Sequence, residues 1–231
     1  MRIIQPSFEI IDHNNLLKVI ELGGRVCYKS EDKMGLDSDL RLIEKLKSLK
    51  HESVFEHGVI TIKFVFDRGV SHEFVRHRHA SPSQESTRYC NYSKAKFDAQ
   101  ITVIDLATGF NYNLSDPKDA AKYEEWQQAM VDAERHYLRM LELGATPQEA
   151  RSVLPNSLKT EIQVTANVRE WRLILRLRTG HEAHPQIRQV MVPLAHRLAV
   201  MWPILFSDLA DVTHDQPALD ITDVKLFGSL L

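Results

Sequence analysis

Two stretches alternate so regularly that they leave little choice of local structure. Ile60, Ile62, Phe64 and Phe66 alternate with Thr61, Lys63 and Val65. Leu158, Thr160, Ile162, Val164 and Ala166 alternate with Lys159, Glu161, Gln163 and Thr165. Successive side chains of a strand point to opposite faces, so each stretch reads as a strand with one buried face. A helix start follows each. Asp67-Arg68-Gly69 turns the chain into a short helix that carries Arg76, and Asn167 is an N-cap with Glu170 three residues on.

The remaining elements interleave with these two. Met1 to Ile11 reads as an opening strand, and Asn14 to Leu22 as a helix stopped by Gly23 and Gly24. Asp37 to Leu49 is a second helix, with Leu40, Ile43, Leu46 and Leu49 on one face. Ile101 to Ile104 is a further strand. Asp116-Pro117 opens a helix that runs to Leu143 and stops at Gly144. Thr146-Pro147-Gln148-Glu149 has capping-box spacing and opens a helix carrying Arg151. Pro185 to Trp202 is the last long helix, striped by Ile187, Val190, Met191, Leu194, Leu198 and Met201. There are no regular βαβ units, repeats or linkers. The expectation is a mixed α/β (α+β) fold with a central, mainly antiparallel sheet and a helical layer.

At 231 residues the chain can bury a sizeable core, as one large domain or two close ones. It is 43% hydrophobic and 26% charged, which argues against disorder. A formal charge of −2 gives no broad basic field for a nucleic-acid polymer, so any anion site is local. The two cysteines, Cys27 and Cys90, supply neither a disulfide framework nor a zinc quartet and suit a reduced, cytoplasmic setting. The N-terminus shows no signal-peptide pattern, and the longest apolar run, Leu198 to Phe206, is too short to span a bilayer.

Chemistry concentrates between Glu73 and Tyr89. Arg76, His77, Arg78, His79, Ser81, Ser83, Ser86 and Arg88 crowd a segment with almost no apolar residue after Val75. Pro82 excludes a helix interior, so Arg76 to Arg78 are expected to end a helix and Ser81 to Thr87 to form a loop. Guanidinium forks, hydroxyls and loop amides are the donors a phosphate-bearing ligand needs, although a basic helix end followed by a polar turn has the same composition. The helix from Arg169 to Arg178 carries four arginines in ten residues, more than a single solvated face holds. There is no Gly-x-Gly-x-x-Gly turn and no P-loop. His181-Glu182-Ala183-His184 and His72 to His77 miss the His-Glu-x-x-His spacing of a zinc helix, so no metal is expected.

Arg76-His77-Arg78, seven residues, Ser86, then Arg88 and Tyr89 resembles the signature of the flavin-dependent thymidylate synthases. His51-Glu52-Ser53 with Phe55-Glu56-His57, Ala150-Arg151…Leu154-Pro155, and Asn167-Val168-Arg169-Glu170-Trp171-Arg172 with Leu177-Arg178 are similar to further motifs of that family, in the same order. The resemblance runs from about Arg25 to Pro203 and implies a single such domain over residues 1–231. It implies methylation of dUMP at C5 with methylenetetrahydrofolate as one-carbon donor, reduced FAD as hydride source and NADPH as reductant of the flavin. It also implies a homotetramer with sites shared between subunits.

Carried over by position, the resemblance assigns FAD to His51 (near the flavin or folate), Ser53, Arg76, His77, Arg78, Gln84, Asn167, Val168, Arg169 and Leu173. It assigns dUMP to Glu73, Phe74, Val75, Arg76, Gln84, Glu85, Ser86, Thr87, Arg88 and Arg151. Arg178 takes the position of the arginine that favours the ionised pyrimidine, a role suited to a cation beside developing negative charge. The chain departs from the family pattern at Glu73 (usually Gln), at Ser83-Gln84-Glu85 (commonly Asn-Glu-Gln), at Cys27 (a Ser that can contact flavin) and at Glu182 (usually His). Two other classes compete: a non-catalytic flavin- or nucleotide-binding protein on the same scaffold, and a metal-dependent hydrolase using the histidines.

Overall fold

The computed structural model describes residues 1–210. Four strands hydrogen-bond in the order β2 (Ser7–His13), β3 (Val59–Asp67), β6 (Lys159–Asn167), β4 (Ala80–Gln84), forming an antiparallel sheet. A separate parallel pair joins β1 (Arg2–Ile4) to β5 (Thr102–Ile104), with Arg2 opposite Thr102. The chain divides into two compact units. One comprises residues 1–7, 64–76 and 83–162; the other comprises 8–63, 77–82 and the described residues from 163 onward.

In the first unit, α5 (Pro117–Glu142) starts as its sequence dictates. Asp116 accepts from the N–H groups of Lys118 and Asp119, Pro117 opens the first turn, and the chain leaves beyond Leu143 through Gly144 at φ +92°. The helix sets Met130 and Tyr137 into a core with Tyr92, Ile101, Val103, Ala150 and Leu158. Asp105 caps α4 (Leu106–Gly109) and accepts a hydrogen bond from the Tyr123 hydroxyl at 2.7 Å. Phe64, Phe66 and Phe74 form an aromatic group with ring centroids 5.1–5.9 Å apart. Phe74 is the last residue of α3 (Arg68–Phe74).

The second unit is helical around its share of the sheet. Its helices are α1 (Leu16–Tyr28), α2 (Ser38–Ser48), α7 (Val168–Thr179), α8 (Pro185–Met201) and α9 (Pro203–Ala210), with a 3-10 helix at Glu52–His57. Trp171 is fully buried, and its indole N–H donates to the Ile60 carbonyl at 3.0 Å. That bond satisfies the one polar atom of a large core side chain.

Several expected boundaries shift. Gly23 and Gly24 do not stop α1, which runs on to Tyr28 and ends at Lys29 in the left-handed conformation. A Cβ on Gly24 would lie 3.0 Å from Leu46, and one on Gly23 would lie 2.6 Å from the His57 ring. These glycines permit close packing inside a helix instead of ending it. The opening strand is two strands, broken at Gln5-Pro6. The helix before the arginine cluster ends at Phe74, so Arg76 to Arg78 lie beyond it. Part of the expected loop is β4, which contains Pro82. As the edge strand of the sheet, β4 tolerates a residue with no N–H to donate. On the predicted stripe of α2, Ile43 and Leu46 are buried while Leu40 and Leu49 are exposed. Arg151 begins a 3-10 turn, Arg151–Val153, directly after the four-residue α6 (Pro147–Ala150).

Candidate active site

The residues named from sequence divide between the two units. In the first unit, the segment from Gln84 to Arg88 is tied down residue by residue. The Gln84 side-chain amide donates to Ser71 Oγ at 2.9 Å and to Thr160 Oγ1 at 3.1 Å. The Glu85 carboxylate receives Lys159 Nζ at 2.9 Å and the Tyr92 hydroxyl at 3.0 Å. Ser86 Oγ accepts from the Arg88 N–H at 3.3 Å, and its carbonyl accepts from the N–H groups of Tyr89 and Cys90, closing a turn. Thr87 is buried, and its hydroxyl accepts from Arg151 Nη1 at 3.4 Å. Arg88 Nε donates to Gln148 at 3.2 Å, and its guanidinium lies 5.5 Å from the Tyr89 ring centroid. Hydroxyls and guanidinium groups thus gather around one turn. Arg76 and Val75 are exposed, Glu73 is half-buried, and the Phe74 side chain belongs to the aromatic core of this unit.

Burial, then the neighbouring Glu85 carboxylate, push the Cys90 thiol up, away from the thiolate form. The Tyr92 hydroxyl is raised by burial and by the same carboxylate, so it stays a donor to Glu85. Burial opposes the Lys159 ammonium, but its hydrogen bonds to Glu161 and Glu85 outweigh burial and raise its pKa.

In the second unit a cavity of about 410 Å³ lies along α7 and the 3-10 helix Glu52–His57. Phe55 and Leu173 supply apolar wall, while Arg169, Arg176, His79 and Asn167 supply polar groups. Asn167 caps α7 by accepting from the Glu170 N–H at 2.8 Å. Arg169 pairs with Glu56 at 2.7 Å and Glu52 at 3.6 Å, and Arg176 approaches Glu52 at 3.9 Å. These pairs are substantially exposed. Arg172 differs: it is buried and grips Asp208 of α9 through two nitrogens, at 2.9 and 2.7 Å, and also donates to the Leu205 carbonyl. Burial alone would raise the Asp208 carboxyl, but Arg172 and Lys47 hold it well below the usual carboxylate range. Arg172 is therefore a structural clamp between α7 and α9.

His77 and Arg178 also meet within the second unit. Arg178 Nε donates to His77 Nε2 at 3.0 Å. His77 is buried, at 8% exposure, and burial and then the Arg178 charge lower its pKa from 6.5 to about 4. The ring is neutral at pH 7, with its proton on Nδ1, because Nε2 is the acceptor. Glu170 lies 3.8 Å from Nδ1, beyond a hydrogen bond. The contact sets a neutral ring against Arg178 and fixes the direction of its guanidinium.

Of the remaining residues named from sequence, His51, Ser53 and Arg78 are exposed. Val168 is buried, and its N–H donates to the Gly58 carbonyl at 2.8 Å, so it carries backbone structure and does not line the cavity. Sequence reasoning missed the partners: Lys159, Tyr92, Gln148 and Ser71 in the first unit, Glu52 and Glu56 in the second. Their only signals were Lys159 on the polar side of its strand and the two glutamates of the His51 to His57 segment. Among the described residues, no His, Cys, Asp and Glu side chains gather as a metal site, and no helix is long and apolar enough to cross a membrane.

Fold and site define a mixed α/β protein with a hydroxyl- and arginine-lined turn in one unit and an arginine-lined cavity in the other. The family profile described as "Thymidylate synthase complementing protein" matches residues 9–204. A "Flavin-dependent thymidylate synthase" of Corynebacterium aurimucosum is 32% identical over 204 residues, covering 82% of this chain and 78% of that protein. One from Geobacter sulfurreducens is 32% identical over 196 residues, covering 82% and 80%. One from Mycobacterium tuberculosis is 29% identical over 202 residues, covering 84% and 80%. Among solved structures, the UMP/dUMP methylase PolB from Streptomyces cacaoi, bound with 5-Br dUMP, superimposes with a TM-score of 0.75 at 23% identity, covering 94% of this chain and 100% of that one. The chain belongs to the thymidylate synthase complementing protein family.

Proposed function

We propose that this protein is a flavin-dependent thymidylate synthase, which methylates dUMP at C5 to give dTMP. Methylenetetrahydrofolate is the one-carbon donor, and NADPH reduces the flavin. Family membership and the names of its relatives support this reading. The observation that carries it is the contact between Arg178 and His77, in which a neutral ring nitrogen accepts from the guanidinium and sets its direction.

In this reading Ser86, Arg88 and Arg151 bind the phosphate of dUMP, and the Gln84 to Arg88 segment orients the nucleotide. Arg178 stabilises negative charge as it develops on the pyrimidine, which makes C5 nucleophilic. His77 holds Arg178 in place and adds no competing charge. The raised Cys90 thiol supports a route without an enzyme thiolate, and Cys27 is exposed on α1.

The cavity of the second unit fits a flavin by the chemistry of its donors. Arg169 and Arg176 suit a pyrophosphate, and Phe55 and Leu173 suit an aromatic ring system. Asn167, Arg169, Leu173, Ser53, His77 and Arg78 of this unit would hold FAD, with His51 near the flavin or folate. FAD, when bound and reduced, supplies the hydride. We propose that the protein works as a homotetramer in the cytoplasm, which sedimentation of the active enzyme would test. The functional reading is tested by dTMP formation from dUMP, methylenetetrahydrofolate, FAD and NADPH.

A further inference from the structure

Glu85 is an unexpected neighbour for a phosphate-binding turn. Its carboxylate directly precedes Ser86, and an unbalanced negative charge there would repel the phosphate that Ser86 and Arg88 are arranged to meet. The structure gives that charge a cation and a hydroxyl donor. Lys159 Nζ lies 2.9 Å from one Glu85 oxygen, and the Tyr92 hydroxyl donates to the other at 3.0 Å. Both side chains of the ion pair are shielded, with 17% of Lys159 and 11% of Glu85 exposed. The Glu85 backbone is held as well: its N–H donates to the Glu161 carbonyl at 2.8 Å, and its carbonyl accepts from Arg68 at 3.4 Å. Lys159 is shared with Glu161, at 2.6 Å, but that carboxylate lies on the same strand and is more exposed. Lys159 is the charged tether that joins β6 to the side chain from which the turn hangs.

We propose that Lys159 is a positioning residue for nucleotide binding: by neutralising and pinning Glu85, it holds Ser86, Thr87 and Arg88 ready for the phosphate of dUMP. This rests on the reading that the turn binds dUMP. In this proposal Lys159 acts through Glu85 and not by contact with substrate or flavin. Its effect is on dUMP affinity, and the rate of the bound complex is left nearly unchanged. Arg at this position keeps the charge and the tether. Met keeps the length and leaves Glu85 as a shielded, unpaired anion, which also works against a bound phosphate.

The test uses full-length, FAD-loaded enzyme and three variants: Lys159→Met, Lys159→Arg, and Lys159→Met combined with Glu85→Gln. KM and kcat for dUMP are measured, and dUMP binding is followed by calorimetry so that affinity is read without turnover. Lys159→Met should raise KM and Kd for dUMP roughly tenfold, the size of a strong coupling between contacting groups. Its kcat and its flavin absorption spectrum should stay near wild type. Lys159→Arg should bind dUMP almost as the wild type does. The double variant, relieved of the unpaired charge but not re-tethered, should fall between, roughly threefold weaker than wild type. Wild-type dUMP affinity in Lys159→Met and the double variant overturns the proposal, as does a parallel loss of kcat and flavin. If Lys159→Met does not fold, the double variant decides by the same criterion. A wild-type enzyme that does not bind dUMP overturns the functional reading, and this proposal with it. Normal wild-type binding and turnover with unaffected variants overturns this proposal alone.

Discussion

The two units hold their cations in opposite ways. In the first, the side chains around the turn have partners: Arg88 has Gln148, Arg151 has Thr87, and Glu85 has Lys159 and Tyr92. The two arginines lean on neutral groups, so their charge is preserved and their direction is set before a ligand arrives. In the second unit, Arg169 and Arg176 rest against Glu52 and Glu56 at the cavity edge, in exposed pairs. Exposed ion pairs contribute about 0–1 kcal/mol, so an anionic ligand can take over those arginines at small loss. One region is organised in advance, and the other exchanges an internal anion for an external one. His77 and Arg178 follow the first pattern although they lie in the second unit, since a neutral acceptor holds a cation in place.

The largest expected effect tests that last point. Arg178→Ala should lower dTMP formation by about 10²–10³-fold, as when one charge-stabilising donor is removed. A smaller loss would show that fixing this cation is not where the chemistry resides. The neutral state of His77 should be visible in stability. Its folded pKa, about 4, lies below the ordinary 6.5, so between those values the unfolded chain binds the extra proton. The contribution is therefore present above pH 6.5 and lost as pH falls towards 4, amounting to about 3 kcal/mol. Denaturant unfolding across that range should fall off more steeply in the wild type than in His77→Gln. Equal slopes would mean that the histidine is not held neutral.

The two kinds of arginine on α7 can be separated directly. Arg172→Ala removes the clamp on Asp208 and leaves a gap, and should lower stability by about 2–3 kcal/mol. Arg169→Ala should change stability by less than about 1 kcal/mol yet weaken flavin binding by about 1.5–3 kcal/mol, the range for a hydrogen bond to a charged group. If both variants behave alike, the contrast between tied and exchangeable cations fails. The smallest effect concerns Cys90. Because its thiol is raised by burial and Glu85, Cys90→Ser should keep most of the dTMP formation. A Cys90→Ser enzyme that binds FAD and dUMP normally but forms no dTMP would restore the thiolate route.

The strands and long helices were legible because their signals are local. Alternation announced β3 and β6, and the caps Asp116, Asn167 and Thr146 stand where their helices begin. Gly23 and Gly24 misled because a glycine that ends a helix and one that admits a neighbour look the same in one dimension. Ser81 to Gln84 looked like loop because an edge strand needs neither apolar alternation nor every N–H. The site was legible as motifs, and its partners were not. Nothing local links Lys159 to Glu85, Arg172 to Asp208 or Arg178 to His77, since each pair is made by tertiary folding. The four arginines of α7 looked equivalent on the page, yet one is a buried clamp, two rim a cavity and one leans on a neutral histidine.

The most direct test of the central claim is dTMP formation by the purified wild-type protein, supplied with dUMP, methylenetetrahydrofolate, FAD and NADPH. The account predicts dTMP that depends on every one of these components, from a protein that carries flavin absorption. A protein that binds flavin and dUMP but transfers no one-carbon unit under these conditions would contradict it, and would leave a nucleotide- and flavin-binding protein on the same scaffold.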